Sequence, residues 1–155
     1  RARDGHHPAP MCLLSVWRGV RLLSTKQGPG CVVSGGGVDP HCVFARFARG
    51  DSRPASIVLE TDTVLAFHDV APVAPTHILL IPKTLPVASV HEDVATRHPE
   101  VLGDLLVAAG EVARKLGLCE DGFRLVINQG PQGQQTVPYL HLHLLAGRQM
   151  QWPPG

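Results

Sequence analysis

A chain of 155 residues with 44% hydrophobic and 17% charged residues is long enough to bury one sizeable core and too apolar to be disordered. Its formal charge of +1 sums two unlike parts: residues 1–38 hold five basic residues and one acidic, whereas residues 39–155 hold nine basic and twelve acidic. The body is therefore mildly acidic and lacks the basic face of a nucleic-acid binder, and no run reaches the ~20 apolar residues that span a bilayer. Neither a nucleic-acid partner nor membrane insertion is expected.

The N-terminal part reads as an address. The first methionine is Met11, and Met11 to Lys26 combines Arg18, Arg21 and Lys26 with serines and large apolar residues, without an acid before Asp39. That is the composition of a basic amphipathic mitochondrial transit peptide. The expected organisation is upstream, non-native sequence over 1–10, then a transit peptide and glycine-rich linker over 11–38, and one folded domain over 39–155. The four cysteines, Cys12, Cys31, Cys42 and Cys119, have no C-x-x-C spacing, so neither a zinc knuckle nor a disulfide framework is expected.

Along the body, Val43, Phe44, Phe47 and Ala48 make one apolar stripe of a short helix between Pro40 and Gly50. Ile57–Glu60 and Thr63–Phe67, separated by Thr61-Asp62, predict a hairpin. After a loop over Asp69–Pro75, His77–Ile81 predicts a buried strand with His77, Leu79 and Ile81 on one face. From Pro99, Leu102, Leu105, Leu106, Ala109, Val112, Ala113 and Leu116 recur at three and four until Gly117, which predicts one long amphipathic helix. Strands over Phe123–Asn128 and Tyr139–Leu145 complete the chain. The order predicts an α+β domain: an antiparallel β-sheet with one long and one short α-helix.

The last strand carries the chemistry. Side chains alternate along a strand, so His141 and His143 project from one face while Leu140, Leu142 and Leu144 project from the other. Two converging imidazoles suit nucleophilic or acid–base work near neutral pH, or metal ligation. The preceding loop, Asn128 to Thr136, supplies glycine-freed backbone N–H groups with amide and hydroxyl donors, a set suited to an anionic oxygen such as phosphate. Neither that strand nor that loop contains a carboxylate, so a metal site of the His-plus-carboxylate kind is not expected there.

Three blocks carry a resemblance. Phe67-His68-Asp69-Val70-Ala71-Pro72 through His77 to Lys83, then Leu125-Val126-Ile127-Asn128, then Leu140-His141-Leu142-His143 through Gly147-Arg148-Gln149-Met150 to Trp152-Pro153-Pro154-Gly155 are similar, in order, to the HINT branch of the histidine-triad (HIT) superfamily. With the Met11 segment, the mitochondrial type within that branch is nearest. The resemblance implies a HIT-like fold, a homodimer, and a cofactor-free and metal-free purine nucleoside phosphoramidase that releases AMP or GMP through a nucleotidyl-histidine. It implies His141 as the nucleophile, His143 on phosphate oxygens, and His77 as a proton relay behind them. It also places Thr136 against the phosphate or leaving group, with Gln134 and Gln135 lining the pocket. Asp69 would take the ribose hydroxyls, with Val70 beside the base and Asn128 also on the nucleotide.

One position departs from the pattern. The motif H-x-H-x-H reads Tyr139-Leu140-His141-Leu142-His143 here, and Tyr139 has no imidazole to relay a proton. Two outcomes follow: an active phosphoramidase at an altered rate, or a degenerate nucleotide-binding or dimerisation module with little turnover.

Overall fold

The computed structural model describes residues 38–90 and 97–154. The expected address segment lies outside them, Val38 aside. Seven elements follow in order: α1 (Val43–Arg49), β1 (Ile57–Glu60), β2 (Val64–His68), β3 (Thr76–Pro82), α2 (Pro99–Lys115), β4 (Arg124–Val126) and β5 (Leu142–Ala146). The strands form one five-stranded antiparallel sheet in the order β1-β2-β3-β5-β4, with a helix against each face. This is the α+β arrangement that the sequence predicts. No helix among the described residues is long and apolar enough to cross a membrane.

Helix α2 forms because its ends are chemically marked. Pro99 occupies the first turn, where its missing N–H costs nothing, and Glu100 there and Arg114 and Lys115 in the last turn oppose the helix dipole. Gly117, at φ 70°, lets the chain leave in the left-handed conformation. Lys115 Nζ also donates to Val58 O at 2.7 Å, which ties the helix end to β1. The face that meets the sheet is Val101, Leu105, Ala108, Ala109, Val112 and Ala113. Compared with the expected stripe, Leu106 and Leu116 are exposed, and Val101 and Ala108 take their place. A run that is apolar on more than one side leaves the sheet-facing side undecided until the sheet is placed.

The larger core joins α2 to Val64, Ala66, Ile78, Leu80, Leu140, Leu142 and Leu144. The smaller one joins Cys42, Phe44 and Ala45, from α1 and its N-cap, to Leu65, Phe67, Leu79, Ile81 and Tyr139. Alternation along β3 divides it between the two, Ile78 and Leu80 one way, Leu79 and Ile81 the other. Truncating a buried leucine such as Leu105 or Leu80 to alanine costs about 2–5 kcal/mol.

Two strands are shorter than predicted. Strand β4 covers only Arg124–Val126, because its single partner is β5 and pairing stops at Val126 opposite His143. Strand β5 begins at Leu142, not Tyr139. Pro138 has no N–H, the Tyr139 N–H closes a tight turn onto Val137 O at 2.8 Å, and the Leu140 N–H goes to Val87 O at 2.6 Å. At its far end, Gly147 has φ 87°, and a Cβ there would stand 2.8 Å from Pro75 Cβ. That close approach brings the end of β5 onto the loop before His77.

Candidate active site

Strands β3 and β5 are direct neighbours in the sheet, with His77 opposite Leu145 and Leu79 opposite His143. Their registered alternation puts three imidazoles on the α1 side. His77 and His143 have ring centroids 5.1 Å apart, and His141 and His143 4.8 Å apart. His77 and His141 are each only 4% exposed.

Hydrogen bonds fix where each imidazole carries its proton. The Val73 N–H donates to His77 Nδ1 at 3.3 Å, so the proton of neutral His77 is on Nε2. That N–H faces His143 Nδ1 at 2.9 Å and donates to it, with Asp69 Oδ2 also 3.4 Å away. The proton of His143 is therefore on Nε2, a buried nitrogen that has no hydrogen-bond partner among the described residues. An unpartnered buried donor is costly, and a bound acceptor removes the cost. His141 is oriented separately: Nδ1–H donates to Tyr139 O at 2.7 Å. A carbonyl only accepts, so the lone pair of His141 is on Nε2.

Burial pushes these groups toward the neutral form. His143 is lowered to about 4, first by desolvation and then by the proximity of His141 and His77, with Asp69 opposing. His141 is lowered by desolvation, against its bond to the Tyr139 carbonyl and the charge of Asp69. His77 is lowered by desolvation, again against Asp69. At neutral pH the site thus offers one free imidazole nitrogen and one aimed N–H.

A cavity of about 540 Å³ opens onto this cluster. His141, His143, Thr136, Asp69 and Val70 line it, together with residues that the sequence did not single out for the site: Phe44, Phe47, Arg53, Ser56, Phe67 and His68. Helix α1 supplies the aromatic wall, with Phe44 edge-on to His141 at 5.3 Å and to Phe67 at 5.8 Å. Their signal in the sequence was only the apolar stripe of a short helix, which reads equally well as core.

Several expected site residues lie elsewhere. Asn128 and Gln134 are not among the residues that line the cavity, and Gln134 sits at φ 55°, in the left-handed region, within an exposed turn. Gln135 does not line it either; it braces the loop from within. Its Nε2 donates to Ala88 O at 2.8 Å, and its Oε1 accepts from Gly130 N at 3.0 Å. Glutamines beside glycines read as donors for a ligand, yet the amide of Gln135 is engaged by Ala88 from the segment after β3 and by Gly130 of its own turn. His77 stands behind His143 and does not line the cavity itself.

Tyr139 is turned into the smaller core and does not line the cavity. Its side chain is buried against Phe44 at 6.4 Å, and its hydroxyl donates to Pro82 O at 2.8 Å. Burial raises its phenol to about 12, so it stays neutral. The carboxylate missing from the histidine strand comes from elsewhere in the chain. Asp69, held by an N–H bond from Ala71 at 2.8 Å to its Oδ1, brings Oδ2 to the imidazoles, and ligand atoms of Asp69, His77 and His143 lie within 4.8 Å of one another. The reasoning from β5 alone against a His-plus-carboxylate cluster therefore does not hold in three dimensions.

Comparison with known proteins shows the family and the fold. A "14 kDa zinc-binding protein" of Zea mays is 53% identical over 117 residues, which is 76% of this chain and 90% of that protein. "Adenylylsulfatase HINT1" of Arabidopsis thaliana is 52% identical over 102 residues, 66% of this chain and 69% of its own length. Among solved structures, a HIT family hydrolase from Legionella pneumophila superposes with a TM-score of 0.64 at 45% identity, covering 74% of this chain and 99% of the other. Residues 51–150 match the family model of the HIT domain, and this chain belongs to that family.

Proposed function

We propose that the protein is a purine nucleoside phosphoramidase, which hydrolyses the P–N bond of nucleoside 5′-phosphoramidates. The observation that carries the reading is the pair of nitrogens at the cavity: His141 Nε2 with a lone pair, and His143 Nε2–H with nothing to donate to. Phosphorus needs a nucleophile and a donor to its oxygens, and these two nitrogens supply both. His141 attacks phosphorus through Nε2, the P–N bond breaks, and the amine leaves with a proton taken from water, which the hydrolytic water of the second step returns to solvent. Water then attacks the nucleotidyl-histidine, releasing the nucleoside monophosphate and restoring the imidazole. His143 donates to a phosphate oxygen through both steps, held in that tautomer by His77. The Thr136 hydroxyl faces the departing amine, and Asp69, with Oδ1 already committed to Ala71, meets the ribose hydroxyls through Oδ2.

The Arabidopsis relative's name, an adenylylsulfatase, fits the same attack with sulfate in place of the amine as leaving group. Exposed Leu106 and Val107 on α2, and exposed Phe123, Ile127 and Trp152 around the open edge strand β4, support assembly as a homodimer. The mitochondrial address rests on the composition of Met11 to Lys26 alone.

Incubating the full chain with adenosine 5′-phosphoramidate and following AMP release tests the reading. Release that disappears in His141→Ala is expected. Purine nucleotide binding without release sinks it, in favour of a degenerate nucleotide-binding module in which Tyr139 has ended turnover.

A further inference from the structure

One cavity residue has no part in the chemistry above. Arg53 is the one arginine or lysine among the described residues that line the cavity. It lies on the segment that leaves α1, and Pro54 after it confines its backbone to extended conformations. The segment is pinned at the entrance by the bond from His68 N to Ser56 O, 3.0 Å.

Its position follows from the rings. From His141 the aromatic wall runs to Phe44 at 5.3 Å and on to Phe47 at 6.4 Å, and the chain from Phe47 leads out of the helix to Arg53. A nucleotide with phosphorus at His141 and ribose at Asp69 therefore lays its base along the aromatic end, where Arg53 sits. Arginine there has two candidate tasks, attracting phosphate or reading a base edge. Position decides between them, since Arg53 lines the cavity at the aromatic end. Arg53 Nη2 is paired with Glu60 Oε2, and Lys83 holds the other Glu60 oxygen at 3.0 Å. Shared between two cations, Glu60 does not cancel the charge of Arg53, but it holds the guanidinium at the aromatic end, away from phosphorus at His141, and leaves most of its five N–H donors in a planar fork.

Resting on the phosphoramidase reading for where the phosphate lies, we infer that Arg53 reads the base and gives the site a preference for 6-oxopurines, guanine and hypoxanthine, over adenine. Guanine and hypoxanthine present two adjacent acceptors, O6 and N7, which match the fork; adenine presents a donor at N6 beside the N7 acceptor and forfeits one bond. The guanidinium face can also stack on any base, and that contribution does not discriminate. The arginine side chain is 58% exposed, so the discrimination belongs at the lower end of the range for such pairs, about fivefold to tenfold.

The test compares kcat/KM for guanosine, inosine and adenosine 5′-phosphoramidates carrying one amine, alongside calorimetric Kd values for GMP, IMP and AMP, in the full chain and in Arg53→Met and Arg53→Lys. Guanosine and inosine should both exceed adenosine by about fivefold to tenfold, and the ratio should fall to near unity in Arg53→Met. Arg53→Lys keeps the charge and the Glu60 partner but loses the fork, and the ratio should fall there as well. Equal rates for all three bases, a preference for adenosine, or a guanine preference that survives Arg53→Met would each overturn the inference. Tighter GMP than AMP binding without P–N cleavage would leave Arg53 as the reader and remove the hydrolase reading. Cleavage without base discrimination would do the reverse, and no purine binding at all would remove both.

Discussion

Replacing Tyr139 with phenylalanine separates a structural from a catalytic use of the position where the family motif has histidine. The hydroxyl donates to Pro82 O at 2.8 Å inside the smaller core, where Tyr139 is 1% exposed. Deleting it removes one hydrogen bond and leaves a buried carbonyl short of a donor, while the ring keeps its edge-on contact with Phe44. The expected loss is about 1–2 kcal/mol of stability, which lowers Tm by roughly 3–10 °C for a domain of this size. Turnover should stay within about twofold, because His141 is oriented by the Tyr139 carbonyl, which the substitution keeps, and a phenol raised to about 12 is no base at neutral pH. Urea or thermal unfolding measures the first quantity, and AMP release from adenosine 5′-phosphoramidate the second. A fall in kcat of a hundredfold or more with little change in Tm would refute the reasoning, since it would give the hydroxyl a direct part in proton transfer.

Further outcomes follow from the same geometry. His77→Leu removes the N–H that fixes the tautomer of His143, and kcat should fall roughly 10- to 100-fold with a smaller change in KM; an unchanged kcat would show that His143 holds its proton on Nε2 without help. The three imidazoles are lowered from 6.5, so at acid pH the unfolded chain binds more protons than the folded one. Stability should be flat from pH 6.5 to about 10, where the Tyr139 phenol of the unfolded chain begins to ionise, and fall with pH below 6.5, with His143 contributing on the order of 3 kcal/mol by the time pH reaches about 4. The rate needs neutral His141 and should likewise hold down to pH 6.5; a rate that halves near pH 7 would contradict its lowered value. Removing divalent metal with a chelator should leave the rate unchanged, whereas loss that zinc restores would place a metal on Asp69, His77 and His143.

The elements and the neighbouring imidazoles of His141 and His143 were legible because they rest on local periodicity. His141 and His143 needed only the two-residue repeat of an extended chain, and α2 only the spacing of its apolar residues and the punctuation of Pro99 and Gly117. What the sequence hides is whatever depends on packing between distant segments. The aromatic wall of Phe44 and Phe47 is indistinguishable from core until α1 is set against β2, β3 and the residues that lead into β5. The tautomer of His143 depends on a backbone N–H at Val73, and the approach of Asp69 to His77 on the turn over residues 69–75. The partners of Gln135 are hidden for a similar reason, since one of them, Ala88, is distant in the chain. A polar side chain in a glycine-rich loop advertises donors, but the turn's own geometry decides whether any remain for a ligand.

Tyr139 shows both sides of this. Its departure from the motif was visible in the sequence, and its consequence was not. The side chain spans to β3 within the smaller core, while its carbonyl orients the His141 imidazole. The loss of the first imidazole therefore leaves His141 held by main chain.

The claim on which the account turns is that His141 forms a bond to phosphorus. Rapid acid-free quenching during turnover of a purine nucleoside 5′-phosphoramidate, followed by peptide mass spectrometry, should find one nucleoside monophosphoryl group on His141, absent from His141→Ala. Turnover with no adduct at His141, or with the nucleotidyl group on His143, would contradict it.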